Sequence, residues 1–484
     1  MKKLVILVFL ILAAEISAQG VGSIGVSDAR SNSLGNSYTV TSRGVYAIHK
    51  NPANLALPSD ETIQLATVFP LPNLNFAAGT DFMTLEDINY YFGGVTGPNG
   101  QTVGRLLTDA DKRNLVSLFD DGSRMRGSVN LNLFSLSVNA GEDIGSFAFS
   151  IGDRISVSAD IPKGLVEFAM FGNETGVEYQ FNDLNARSWY LRDYSLSYAR
   201  QINDLIPALD IGDYIESLTV GVTLKMVQGL AYTNMDRIDL SFETRESDNA
   251  VLLNADMVYN IAMSEDFGIE WDFLDDNEVV EQNIGPFPTP AGSGFGFDLG
   301  ISGQINDVWS FGFALTDIGS ITWDQKVVAY TASGSYLVDD VAQDNLGDSI
   351  ENALEYEGNY TDAFTSSLPS SMGLGVGFRL DRFLDGSFPG EMTIAAEYHQ
   401  GFNDMPSNTT KPRFSLGMEW LPTSWLPIRT GFSFGGRENF RWGGGFGLDA
   451  GFLEFNFGTS YLHSIVGGNS VGRVGFSMGT RWKF

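Results

Sequence analysis

The chain has 484 residues, no cysteine, 29 basic against 59 acidic side chains, and a formal net charge of -30. Without cysteine there can be no disulfide framework, thiolate metal site, thiol nucleophile or lipidated N-terminal cysteine. Phosphate binding needs clustered Lys and Arg, so the acidic balance argues against a nucleic-acid partner, while 43% hydrophobic residues exclude a disordered chain.

Residues 1–18 read as a secretory signal peptide. Lys2 and Lys3 form its positive start, Leu4 to Ala14 its apolar run, and Ile16-Ser17-Ala18 its small-residue cleavage site. The run is too short to span a bilayer as a helix, which takes about 20 residues. Gly20 to Gly25 fits G-x-G-x-x-G, but no strand precedes it, so no dinucleotide site is expected. Residues 19–60 form an N-terminal segment containing Asn51-Pro52-Ala53-Asn54-Leu55. In that run Asn-Pro suits a turn, since proline presets φ and asparagine bonds its own following backbone. Thr108 and Asp111 form a capping box for one helix, with Leu115, Val116, Leu118 and Phe119 as its apolar stripe and Gly122 as its stop. It belongs to a loop or to the interior of the fold.

The rest of the chain, residues 61–484, alternates. Leu218, Val220, Val222, Leu224 and Met226 alternate with Thr219, Gly221, Thr223 and Lys225. Phe295, Phe297, Leu299 and Ile301 alternate with Gly296, Asp298, Gly300 and Ser302. Similar segments run through Met372 to Leu380, Phe414 to Trp420 and Leu453 to Tyr461. Each strand therefore has one apolar face and one small or polar face. The polar face carries Lys225, Asp298, Arg379, Glu397, Glu419, Asp449 and Glu454, as a wet or plugged lumen would. Trp189, Trp309, Trp420, Trp425, Trp442 and Trp482 fall near strand ends, where interfacial girdles sit. The expectation is an all-β, transmembrane antiparallel barrel of about 14 strands (range about 12–16) in the bacterial outer membrane. Its partners would be membrane lipid and the barrel assembly machinery.

Two acidic stretches, near 236–283 and 338–362, read as long solvated loops. A calcium site at Asp272, Asp275, Asp276 and Glu278 lacks the EF-hand spacing and glycine, so no metal or other cofactor is expected. Gly431 to Gly435, Gly468 to Gly472 and Gly475 to Gly479 all fit G-x-S-x-G, yet none sits at a strand-to-helix turn. His49, His399 and His463 are far apart, and no catalytic residue is assigned. The last strand places Gly472, Val474, Phe476, Met478, Thr480, Trp482 and Phe484 on one face. With its terminal aromatic, it resembles the assembly signal of outer-membrane barrels, carried by Phe476, Trp482 and Phe484.

Asp28-Ala29-Arg30, Leu34-Gly35-Asn36 and Asn51-Pro52-Ala53-Asn54-Leu55-Ala56 resemble the N-terminal pattern of the FadL-type family. Asn54 stands where the family has Gly, and Leu34-Gly35-Asn36 where Gly-Met-Gly is common. Ser415 to Trp420 and Ile428 to Phe432 look like paired strands of those barrels. The resemblance implies about 14 strands, a luminal plug or hatch at residues 19–60, and passage of a hydrophobic, fatty-acid-like molecule through a wall gap. A PorV-like branch of similar barrels implies the alternative, a role in protein secretion or surface attachment with secretion-system proteins as partners. A purely structural outer-membrane role is the remaining possibility.

Overall fold

A computed structural model describes residues 27–97, 99–119, 123–172, 174–182, 184–203, 214–247, 250–269, 285–338, 357–436, 440–466 and 472–484. The signal peptide, Gly20 to Gly25, Asp272 to Glu278 and most of Gly468 to Gly472 lie outside these residues. Fourteen antiparallel strands close into a barrel. The first, β1, comes in two pieces, Ile63–Thr67 and Asn73–Thr80. It is followed by β2 (Ser123–Asn139), β3 (Ser146–Ile161), β4 (Asn185–Gln201) and β5 (Ser217–Thr244). Next come β6 (Val251–Met263), β7 (Gly292–Gln304), β8 (Trp309–Trp323), β9 (Val328–Val338), β10 (Ser371–Arg379) and β11 (Glu391–Gly401). The chain ends with β12 (Arg413–Leu421), β13 (Ile428–Gly435), β14 (Phe440–Asp449), β15 (Leu453–Thr459) and β16 (Arg473–Lys483). All except β6 and β9 form the ring, and β16 pairs with β1 to close it.

The alternation sets which way each side chain points. Leu224, Phe295, Leu374, Phe414, Phe434 and Phe476 are exposed on the outer face, while Thr223, Lys225, Asp298, Glu397, Arg413 and Ser477 are buried inside. That is the inverse of a water-soluble protein and the pattern of a barrel whose outer wall meets lipid. No helix among the described residues is long and apolar enough to cross a membrane.

Two expectations change. Trp189 does not belong to a girdle: it is buried on the inner face against Leu191, Val227, Tyr232 and Trp323. Nor is the 236–283 stretch wholly loop. β5 has 28 residues, far more than the roughly ten that cross a bilayer. Its second half pairs with β6, which pairs with β9, in a sheet that continues past the ring. There Asp239 and Glu243 alternate with Leu240 and Phe242, so acid marks one face of a strand rather than a loop.

Short turns such as 140–145, 305–308 and 450–452 join strands at one end of the barrel. The long connections at the other end carry α2 (Leu85–Tyr91), α3 (Asp109–Ser117) and α4 (Lys163–Phe171), while α1 (Ala29–Ser33) lies inside the ring. α3 starts at the Thr108–Asp111 capping box. It ends at Ser117, short of Gly122, because the Leu118 and Phe119 amides turn back to Leu115 and Val116. Leu115 and Phe119 pack with Met83, Phe82, Ile88, Val166 and Met170, so the helices cap the long-loop end.

Candidate functional site: a plugged lumen and an interrupted wall

Residues 27–57 fill the lumen on the short-turn side. Asp28 caps α1, its carboxylate accepting from the Ser31 amide at 2.8 Å while Ser31 Oγ accepts from the Asp28 amide at 3.0 Å. Gly35 and Asn36, both at positive φ, then turn the chain. Asn51 caps a 3-10 turn over Pro52–Ala56, with proline in its first turn, where its missing N–H is no loss. Asn51 Oδ1 accepts from the Ala53 amide, and its Nδ2 donates to Thr39 O at 2.9 Å and Ser302 Oγ at 2.8 Å. Asn54 Nδ2 donates to Thr39 O and Ser42 Oγ, and its Oδ1 accepts from Ser302 Oγ. Pro52, Ala53 and Leu55 are buried beside them. The motif thus folds the plug onto itself and ties it to β7.

The wall is moulded to this segment. A Cβ on Gly431 would lie 2.1 Å from the Leu34 carbonyl carbon, and one on Gly221 would lie 2.4 Å from that of Pro52. Gly300, Gly312, Gly417, Gly443 and Gly458 face the plug at similar range. The inward glycines of the alternating pattern are therefore a collar that lets plug backbone lie against wall backbone. Polar ties complete the fit. Glu397 Oε2 accepts from the Tyr38 and Thr39 amides at 2.7 Å, and Arg30 pairs with Glu419. Within the plug Lys50 pairs with Asp28; burial opposes ionisation of that carboxyl, but Lys50 prevails and holds it below the usual carboxylate range.

Beyond the plug lies a layer of buried charge. Lys225 reaches Asp298 and Asp317 at 2.7 Å, and Arg154 joins Asp317 to Asp193. Above that layer the inner face turns apolar, with Trp189, Tyr232 and Trp323 in one cluster. The inward side chains of β5 pass through all three levels: Thr223 donates to Ile48 O, Lys225 is ion-paired, and Val227 joins the tryptophans.

The wall is interrupted between the two pieces of β1. Residues 68–72 leave both ladders, and Val68 and Phe69 are exposed. The pairings skip five residues relative to β16 but four relative to β2, and the one-residue difference is a bulge at Leu133. Side chains patch the opening: Thr480 Oγ1 donates to Leu71 O at 2.7 Å, and Asn73 Nδ2 donates to Thr480 O at 2.9 Å. Just inside is a cavity of about 50 Å³ bounded by Val45, Tyr46, His49, Asn73, Leu131 and Arg154. That is room for a few waters.

The C-terminal aromatics lie on the other flank of this opening. Phe476 is exposed on the outer wall, Trp482 Nε1 donates to Phe69 O at 3.4 Å, and Phe484 exchanges backbone hydrogen bonds with Ile63. His49 Nε2 contacts Ser150 Oγ at 2.9 Å, and its Nδ1 has no hydrogen-bond partner among the described residues. His399 meets Tyr38, and His463 lies tilted against Phe440 and edge-on to Tyr461. No metal-ligand cluster occurs among the described residues.

The described residues thus form a closed fourteen-strand antiparallel barrel whose lumen holds residues 27–57. The chain belongs to a family of unknown function, DUF5723, whose model matches residues 58–460. No curated protein matches the sequence. Similar solved structures include the Pseudomonas putida toluene transporter TodX, at 11% identity over 96% of this chain and 99% of that one, with a TM-score of 0.49. The Ralstonia pickettii toluene transporter TbuX is 12% identical over 96% and 100%, with a TM-score of 0.46. A Pseudomonas aeruginosa FadL homologue is 13% identical over 96% and 100%, with a TM-score of 0.45.

Proposed function

We propose that the protein is a bacterial outer-membrane barrel that binds hydrophobic, fatty-acid-like small molecules and passes them sideways through its wall. The observation that carries this reading is the interrupted wall at residues 68–72, next to a small luminal cavity that the flanking Asn73 lines. Among the described residues the plug, the ion pairs and the aromatic cluster lie across the lumen, which favours this reading over an open aqueous pore. An apolar solute could still leave into lipid, because the side opening is closed only by a few side-chain hydrogen bonds.

Removing Phe69 to Pro72 would bring Thr67, Val68 and Asn73 into unbroken register with β2, opposite Phe134, Leu133 and Asn132. Cells carrying the full chain should take up the hydrophobic dye N-phenyl-1-naphthylamine faster than cells carrying this deletion, at equal barrel content. Equal rates would overturn the reading.

A second reading is favoured by the part-buried Arg30–Glu419 pair, which fastens the plug to the wall. A barrel locked in this way suits a scaffold for protein secretion or surface attachment. Cross-linking in intact cells would then recover a discrete exported partner, whereas recovery of assembly factors alone would count against it.

A further inference from the structure

The cavity of about 50 Å³ beside the interrupted wall has room for the head of a solute but not for its tail. Every charged side chain on its lining is already paired. Lys50 meets Asp28, Arg154 donates to Asp193 and Asp317, and Asp153 takes Arg192. What is unmet there is neutral. Asn73, on the flank of the gap, is 7% exposed, and its Nδ2 donates to Thr480 O at 2.9 Å and Thr67 O at 3.4 Å. Those two carbonyls settle which way the amide points, so Oδ1 is the remaining acceptor. It has no hydrogen-bond partner among the described residues. His49 lines the same cavity with its Nε2 on Ser150 Oγ and its Nδ1 equally unpartnered.

A buried acceptor without a donor is costly, and a neutral hydroxyl is the group that relieves it. It gives its proton to Asn73 Oδ1, and its oxygen accepts from His49 Nδ1 in the tautomer whose Nε2 accepts from Ser150. An ionised carboxylate, an ether and a hydrocarbon all lack that proton. We propose that the wall opening selects hydrophobic molecules bearing a neutral hydroxyl, an alcohol or a phenol, with the hydroxyl seated on Asn73 and His49. Val45 and Leu131 on the lining, and the exposed Val68 and Phe69, would border the tail on its way to lipid. The inference rests on the sideways passage proposed above and narrows its solutes from carboxylate-bearing to hydroxyl-bearing ones.

The test is calorimetric titration of the full-length protein in nanodiscs, corrected for empty discs. The ligands are octanol, its isomer heptyl methyl ether, which accepts but cannot donate, and octanoate. Octanol should bind about tenfold more tightly than either. N73L removes the acceptor and should bring octanol to within about twofold of the ether, while H49F should lose part of the preference. Retention of the heat-dependent gel shift of a folded barrel shows which variants fold. If N73L does not, H49F decides, because it leaves the Asn73–Thr480 bond across the gap in place. Equal affinity for the three ligands would overturn the hydroxyl site and leave the sideways passage standing. An octanol preference unchanged in folded N73L, or in H49F where N73L fails to fold, would do the same. No saturable binding of any ligand would overturn both.

Discussion

Arg30 of the plug lays its guanidinium flat against the carboxylate of Glu419 on β12, with Nε and Nη2 donating at 3.0 and 2.7 Å across 389 positions of sequence. The same carboxylate takes Arg429 from the neighbouring strand, so one acid holds both plug and wall. Removing a single charge from such a buried set leaves the others uncompensated. E419Q should weaken plug docking by about 3 kcal/mol. Trypsin cleavage at Arg43 and Lys50 is the measurement, with faster cleavage in the variant while the barrel stays folded.

Gly431 tests the collar. G431V places side-chain atoms where the Leu34 carbonyl lies, so the plug has to move or the barrel fails to fold. At Gly104 nothing lies within 4 Å, and G104A should change stability by less than about 0.5 kcal/mol. Denaturant midpoints of the two variants give the comparison.

Asn51 joins Thr39, Ala53 and Ser302 through one side chain. N51A should cost about 1–3 kcal/mol, because the buried Ser302 and backbone groups lose partners that water cannot replace. Hydrogen exchange at the Ala53 amide should accelerate. Unchanged protection there would assign the ordering of this turn to Pro52 alone.

His49 gives the plug a pH dependence. Burial, then the positive charges of Lys225 and Arg154, hold its imidazole well below the ordinary value. The unfolded segment therefore binds a proton more readily than the folded one. Stability from this group is complete above about pH 6.5 and falls as pH drops below it. Protease protection of the plug should decline on acidification, and H49Q should flatten that decline.

Much of the barrel was legible because period-two patterning needs only neighbours in sequence. Phe295 to Ser302 displays its outer and inner faces directly, and the Thr108–Asp111 box locates α3. Trp189 was misplaced because alternation assigns a face without saying what that face meets, and the lumen turns apolar above the charged layer. The acidic half of β5 reads as loop in the sequence because its charges outweigh the alternation of Leu240 and Phe242. The Arg30–Glu419 pair is invisible in the sequence, since it depends on closing the ring. The motif at Asn51 to Leu55 was visible as a turn, but its tie to Ser302 was not.

The interruption in β1 also bears on how the molecule is assembled. Its first strand meets its last along that edge, so the gap sits on the seam where the cylinder shuts. The plug is the stretch of chain immediately before that seam, and the collar fits its backbone too closely for late threading through a finished ring. Seating it while the sheet is still open would avoid that threading. Sealing then falls to the final strand, whose Thr480 and Trp482 reach the gap-side residues Leu71 and Phe69.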